Sequence, residues 1–295
     1  MQKIIIDTDI GDDIDDAFAI ALAARMPEAE LVGVTTVFRN TEARAQLAEK
    51  LLECAGVKTK VYAGERLPLK EPFHPFAKDT GFPETSLPCQ WEESYGAYPV
   101  NGGAVEFLSK SAERYGKDLC IVAIGPLTNL ARAIEKYPEQ MKRCGKILSM
   151  GGSFKKFAPE WNYLCDPEAA DIVIGSGIPF YAVGLDVTLT CPLEAGLLEK
   201  FRTSEKPVNK LLSLWLDRWF DFFGFEKSVM HDPLALACTV TDACMFEKRF
   251  VAIDLQGERG AAFVSDHEEA GYSPIYVAVS ADREKFYNMV ESVLL

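Results

Sequence analysis

The sequence predicts an α/β protein: a Rossmann-like, doubly wound and mainly parallel sheet with helices on both faces, in a single domain over residues 1–295. Three observations carry that expectation. Short continuous apolar runs alternate with helix-patterned segments through most of the chain. Strands that lack an in-and-out alternation belong to parallel sheets covered on both sides. Finally, the turn after the first strand holds aspartates where a dinucleotide-binding fold would hold GxGxxG, so no dinucleotide site of that kind is expected.

The elements follow in order. Residues 3–6 (KIII) open the series as a strand, and a helix follows over about 14–25, apolar on nearly every face from 17 to 24. A second strand over 31–38 (LVGVTTVF) leads into a helix over 41–55, and a short third strand surrounds Val61. Residues 119–124 (LCIVAI) form a strand followed by a helix over about 127–137. Strands at 147–150 and 180–183 continue the pattern, with a helix near 167–175 between them. Two stretches break the rhythm. Residues 64–100 are rich in Pro, Gly and aromatics and too long for a plain connection, which predicts a lid or an active-site loop. Residues 210–225 (KLLSLWLDRWFDFFGF) carry dense aromatics on a helical pattern; core packing is the expected use, a substrate cover or subunit contact the alternative.

Composition narrows the function. The net charge of −13 argues against nucleic acid as a partner, because phosphate contacts need a basic face. The eight cysteines form no CxxC pair, and several sit inside apolar segments, as expected of reduced thiols in the cytoplasm. The first strand begins almost at Met1, so no signal peptide is expected, and no apolar run reaches membrane-spanning length.

Asp7, Asp9, Asp12, Asp13, Asp15 and Asp16 crowd the turn between the first strand and the first helix. A cap and the helix dipole account for two or three of them. The whole set, flanked on both sides by core, calls for a positive partner, and a hard divalent cation is the simplest. An EF-hand does not fit, since its loop needs a preceding helix and a Glu at the twelfth position. In open α/β sheets ligands bind beyond the carboxyl ends of strands. The other strand ends supply Thr35, Thr36, Arg39 and Asn40; the run Gly125–Asn129; Gly151–Gly152; and Glu160–Trp161–Asn162. Asn and Glu side chains suit hydroxyl recognition, although Asn40 could equally cap a helix. His231–Asp232 opens an apolar helix, where Asp232 reads as an N-cap before Pro233, as a cation ligand, or as both. His74 and His267 lie in loops.

In their order along the chain, DTDIGDDIDDA, VTTVFRN, IGPLTNLA, MGG followed by PEWNYLCDPEAA, LDVT at 185–188 and HDPLA resemble the inosine-uridine nucleoside N-ribohydrolases, which are calcium-dependent. The first and last motifs together are the specific ones. The resemblance implies hydrolysis of the N-glycosidic bond of ribonucleosides through an oxocarbenium-like state. It implies that Asp9, Asp15, Asp16 and Asp232 hold Ca2+ with the backbone carbonyl of Ile124. Asp9 would also be the base that deprotonates a metal-bound water. Asp15, Asn40, Glu160 and Asn162 would bind ribose, and His231 would protonate the leaving base. A homodimer or homotetramer is a further implication.

This chain departs from the family's common DxDxGxDD form, because two extra residues precede Asp15–Asp16. Asp12–Asp13 therefore offers a second register; the later pair is preferred because it directly precedes the apolar helix. Phe154 stands where many members have an Asn that contacts ribose. Two other readings stand beside the hydrolase. One is a non-catalytic or altered-specificity sugar or nucleoside binder on the same scaffold. The other is a haloacid dehalogenase-type phosphatase with Asp7–Thr8–Asp9 as its first motif, against which Gly11 counts.

Overall fold

The computed structural model describes residues 1–70 and 85–295. Among them, β1 (Gln2–Thr8), β2 (Ala29–Thr36), β3 (Val61–Ala63), β4 (Asn101–Gly102), β5 (Leu119–Ala123), β6 (Lys146–Met150), β7 (Phe180–Val183), β8 (Cys244–Ile253), β9 (Ala262–Ser265) and β10 (Ser273–Ala281) form one sheet. Its order is β4-β3-β2-β1-β5-β6-β7-β10-β8-β9. The pairings from β4 through β10 are parallel; β8 runs antiparallel to both of its neighbours.

The apolar run at the start of β1 shows why the sheet is covered on both faces. Ile4 and Ile6 enter one buried cluster and Ile5 the other, and all three are inaccessible to solvent. On the first face the helix Asp15–Arg25 packs against the helices Thr41–Ala55, His231–Ala237 and Arg283–Leu294. Its residues 15 to 23 are all buried, which matches an apolar pattern that leaves no polar stripe.

The parallel, doubly wound expectation holds, and three details differ. The second strand stops at Thr36 rather than 38, because Phe38 (φ 69°) and Arg39 (φ 58°) turn into the left-handed region and end the ladder. The antiparallel ribbon β8–β10 was not anticipated. Its strands mix exposed and buried positions with charged residues and so lack the apolar continuity of β1 and β5. The helix Pro207–Phe223 splits its aromatics: Trp215 and Trp219 are buried with Leu211, Leu212 and Leu216, whereas Phe222 and Phe223 reach solvent. All eight cysteines are free thiols. Among the described residues no helix is long and apolar enough to cross a membrane.

Candidate functional site

The aspartate-rich turn sits where β1 ends between its neighbours β2 and β5. Thr8 ties it at the root: its hydroxyl accepts from the Ile10 amide at 3.0 Å and donates to the Asp16 carboxylate. Gly11 takes φ +120°, and a Cβ there would lie 2.5 Å from Pro88. The buried Arg44 holds the turn from the helix Thr41–Ala55. It donates to the carbonyl of Phe38 at 2.7 Å, to those of Asp9 and Ile10 (the latter at 2.9 Å), and to the Asp12 carboxylate at 2.7 Å. Burial works against its charge, but Asp12 and Asp9 outweigh that effect and raise its pKa. Gln90 and Trp219 complete the frame by donating to the carbonyls of Asp13 (2.9 Å) and Asp12 (3.0 Å).

The two aspartate pairs have different surroundings. Asp12 forms ion pairs with Arg44 and Arg39, and Asp13 accepts from the Ile14 amide at 2.6 Å. Asp15 and Asp16 occupy the first turn of their helix and meet Asp232 from the far part of the chain; the Asp232 amide donates to Asp15 at 3.1 Å. Asp15, Asp16 and Asp232 are buried, and each offers a carboxylate oxygen within 4.8 Å of the other two, a group that could hold a metal ion. Asp9 and Ile124 line the same cavity. Gly125 makes room for Asp9, since a Cβ there would lie 2.8 Å from its Oδ1.

So many buried acids resist ionising together. Burial pushes Asp9, Asp13 and Asp15 up to about 7; Arg44 opposes this at Asp9, and Asp15 adds to it at Asp13. Burial and the neighbouring carboxylates raise Asp16 and Asp232 well above the usual range. A divalent cation among these oxygens would reverse that penalty, and an all-oxygen donor set suits a hard ion such as Ca2+.

Glu160 and Asn162 reach the cavity from the far side. Glu160 caps the helix Trp161–Cys165, accepting from the amides of Asn162 and Gly152, each at 2.9 Å. Burial raises its pKa against those amides. Asn162 donates to the carbonyls of Met150 at 3.1 Å and Ile124 at 3.4 Å, which locks the amide beside the carbonyl expected to face the cation. His231 also lines the cavity, and burial lowers its pKa. Asp232 is the second residue of the helix His231–Ala237, whose cap position is Met230; it is therefore not the N-cap.

Other expected residues lie elsewhere. Asn40 does not line the cavity: it caps the helix Thr41–Ala55 through the Ala43 amide (3.1 Å) and donates to the Thr85 carbonyl (3.0 Å). Phe154 packs around Gly152 and Gly184, outside the cavity wall. His267 is exposed, and His74 lies outside the described residues. Asp7 has no solvent exposure and accepts from Thr35 (2.5 Å) and Asn129 (2.7 Å) beneath the turn, an unsuitable place for the nucleophile of a phosphatase.

The cavity measures about 520 Å3, and its lining combines the acids with an apolar wall. Trp161, Trp219, Phe222, Phe223 and Phe225 form that wall, with Leu87 and Cys89 from the long stretch after β3. Phe223 and Phe225 stack at 5.7 Å between ring centres, and Trp219 lies 5.1 Å from Phe225. For the rings at 219–225 the sequence favoured core packing and offered a substrate cover only as the alternative. The signal was the surplus of aromatics at 219–225, beyond what one buried helix face can hold. Arg44 was missed; a lone cation among the alanines of ARAQLA was the available clue.

Comparison with known proteins follows the same lines. The family model for the inosine-uridine preferring nucleoside hydrolases matches residues 4–288. Uridine nucleosidase 1 of Arabidopsis thaliana is 32% identical, over 100% of this chain and 93% of the relative. The pyrimidine-specific ribonucleoside hydrolase RihA of Salmonella paratyphi B is 31% identical, over 97% of this chain and 96% of its own. Among solved structures, the purine-preferring ribonucleoside hydrolase of Gardnerella vaginalis superimposes with a TM-score of 0.80 at 29% identity, over 98% of this chain and 96% of that one.

Proposed function

This chain belongs to the inosine-uridine preferring nucleoside hydrolase family and is a nucleoside N-ribohydrolase, and from that premise we propose that it cleaves ribonucleosides to ribose and free base in a Ca2+-dependent reaction with Asp9 as general base. One observation carries the reading: Asp15, Asp16 and Asp232 converge at the cavity that Asp9, Glu160, Asn162 and His231 also line. Asp9, Asp15, Asp16, Asp232 and the Ile124 carbonyl would hold the cation. Bound there, Ca2+ supplies a Lewis acid that lowers the pKa of water and can chelate adjacent hydroxyls.

The chain's own groups perform the rest. Asp9 takes a proton from the attacking water, whose oxygen bonds to the anomeric carbon as the bond to the base nitrogen breaks. Asp15, Glu160 and Asn162 receive the ribose hydroxyls and fix the ring beneath that carbon. Fixed carboxylates stabilise the positive charge that grows on the sugar. The bond's electron pair leaves with the base, and His231 donates a proton to it. The apolar wall offers π faces for stacking the base. Asn40 is better placed to support the helix that carries Arg44 than to touch ribose. The eight free thiols favour a cytoplasmic setting, where base salvage is the natural use of the reaction; a homodimer or homotetramer is carried from the family resemblance.

The test uses chelator-stripped protein with inosine, uridine, adenosine and a chromogenic riboside. Activity should return with Ca2+, and Asp9→Asn should lower kcat by about 10²–10⁴-fold with the fold intact. No recovery on any substrate, or a fully active Asp9→Asn, refutes the reading.

A further inference from the structure

The His231 side chain makes a single hydrogen bond among the described residues, and its partner lies on a different element. Its Nδ1 sits 2.7 Å from the Oγ1 of Thr188, the last residue of the short helix Leu185–Thr188. Thr188 has no solvent exposure, and among the described residues its hydroxyl has no other hydrogen-bond partner. The two segments are clamped together by backbone bonds. The Met230 amide donates to the Cys191 carbonyl at 2.9 Å and the Leu193 amide to the Ser228 carbonyl at 2.8 Å, with Pro192 and Val229 bridged between them. The hydroxyl is thus held at a fixed place relative to the ring.

We propose that Thr188 is the positioning residue for His231: it engages Nδ1 and so presents Nε2, the other ring nitrogen, to the departing base. The proposal rests on the reading of His231 as proton donor. The chemistry favours a hydroxyl over a carboxylate here. When a protonated ring gives its Nε2 proton to the base, the neutral ring keeps its proton on Nδ1, and the same oxygen accepts it before and after. When a neutral ring only hydrogen-bonds the base through its Nε2–H and keeps that proton, the hydroxyl rotates and donates to the bare Nδ1. Either way the ring keeps its orientation, and no buried charge is added beside the aspartate cluster.

The experiment compares nucleosides, whose base leaves poorly without a proton, with 4-nitrophenyl riboside, whose phenolate leaves unaided. Thr188→Val keeps the shape and removes the hydrogen bond. It should lower kcat on inosine and uridine by about 10- to 100-fold, with KM nearly unchanged, and lower kcat on 4-nitrophenyl riboside by less than about 3-fold. Thr188→Ser should restore nucleoside turnover to within about 3-fold of wild type. His231→Ala should show the same selectivity, and Thr188→Val should add nothing to it. Thr188→Ala serves if the valine variant does not fold. Equal losses on both substrate classes in the Thr188 variants, with His231→Ala selective, overturn the positioning role alone. A His231→Ala loss shared by both classes overturns the donor role of His231, and the proposal with it.

Discussion

Replacing Arg44 with Met tests whether one buried cation holds the aspartate turn. Methionine fills similar space but leaves three carbonyls, those of Phe38, Asp9 and Ile10, without their guanidinium donor, and it strips Asp12 of its closer ion-pair partner. An unsatisfied buried acceptor costs about 1–3 kcal/mol, and breaking one side of a buried ion pair about 3–5 kcal/mol. The losses overlap because one side chain makes all the contacts, and Asp12 keeps partial solvent access and Arg39 at 3.6 Å. We therefore expect a net destabilisation of about 3–5 kcal/mol. For a domain of this size that corresponds to a fall in Tm of about 5–8 °C. Arg44→Lys keeps the charge but not the fork of donors and should fall between the two. Urea unfolding followed by tryptophan fluorescence, with calorimetry beside it, reads both quantities. A loss below about 1 kcal/mol for Arg44→Met would refute the argument and leave packing alone to hold the turn.

The remaining predictions concern the same turn. Burial raises Asp9, Asp13 and Asp15 to about 7 from 3.8. Between those values the folded chain binds more protons than the unfolded one, so metal-free stability is fullest in acid and is lost as pH rises through 7. Calorimetry of chelator-treated protein from about pH 5 to about pH 8 should show a falling Tm, and saturating Ca2+ should flatten that slope; a metal-free Tm that rises with pH over this range contradicts it. Gly125→Ala would bring a methyl carbon within 2.8 Å of the Asp9 carboxylate. Relieving that contact needs a shift of about 1 Å, which should lower kcat about 10²-fold while circular dichroism stays native; unchanged kcat would show that the carboxylate has room to move.

How much of this was legible in the sequence depended on burial. β1 and β5 are buried on both faces, and their unbroken apolar runs located them to within two residues at each end. β8 and β10 leave about two-thirds of their positions exposed or only partly buried, so no single period marks them. At the site, the acids were legible because six carboxylates wedged between a core strand and a core helix demand a counter-charge. The preference for Asp15–Asp16 over Asp12–Asp13 came from their place directly before the apolar helix; what the sequence could not show is the tertiary packing that sets Arg44 beside Asp12 and Asp232 beside Asp15 and Asp16. Asn40 shows the opposite difficulty: a residue at a strand end that is also a helix cap reads equally well as ligand or as scaffold.

The hydrogen bond between Asp15 and the Asp232 amide joins residues 217 apart. At synthesis rates of about 5–20 residues per second, Asp15 waits on the order of 10–40 s for that partner to be made. Arg44 lies only 32 positions beyond Asp12 and follows it almost at once. The nascent acids thus meet a covalently supplied cation early, while the pocket for a diffusible one closes only when most of the chain has been translated. A ribosome-bound fragment would carry the charge of the cluster without its chelating geometry, which ties ion capture to completion of the fold.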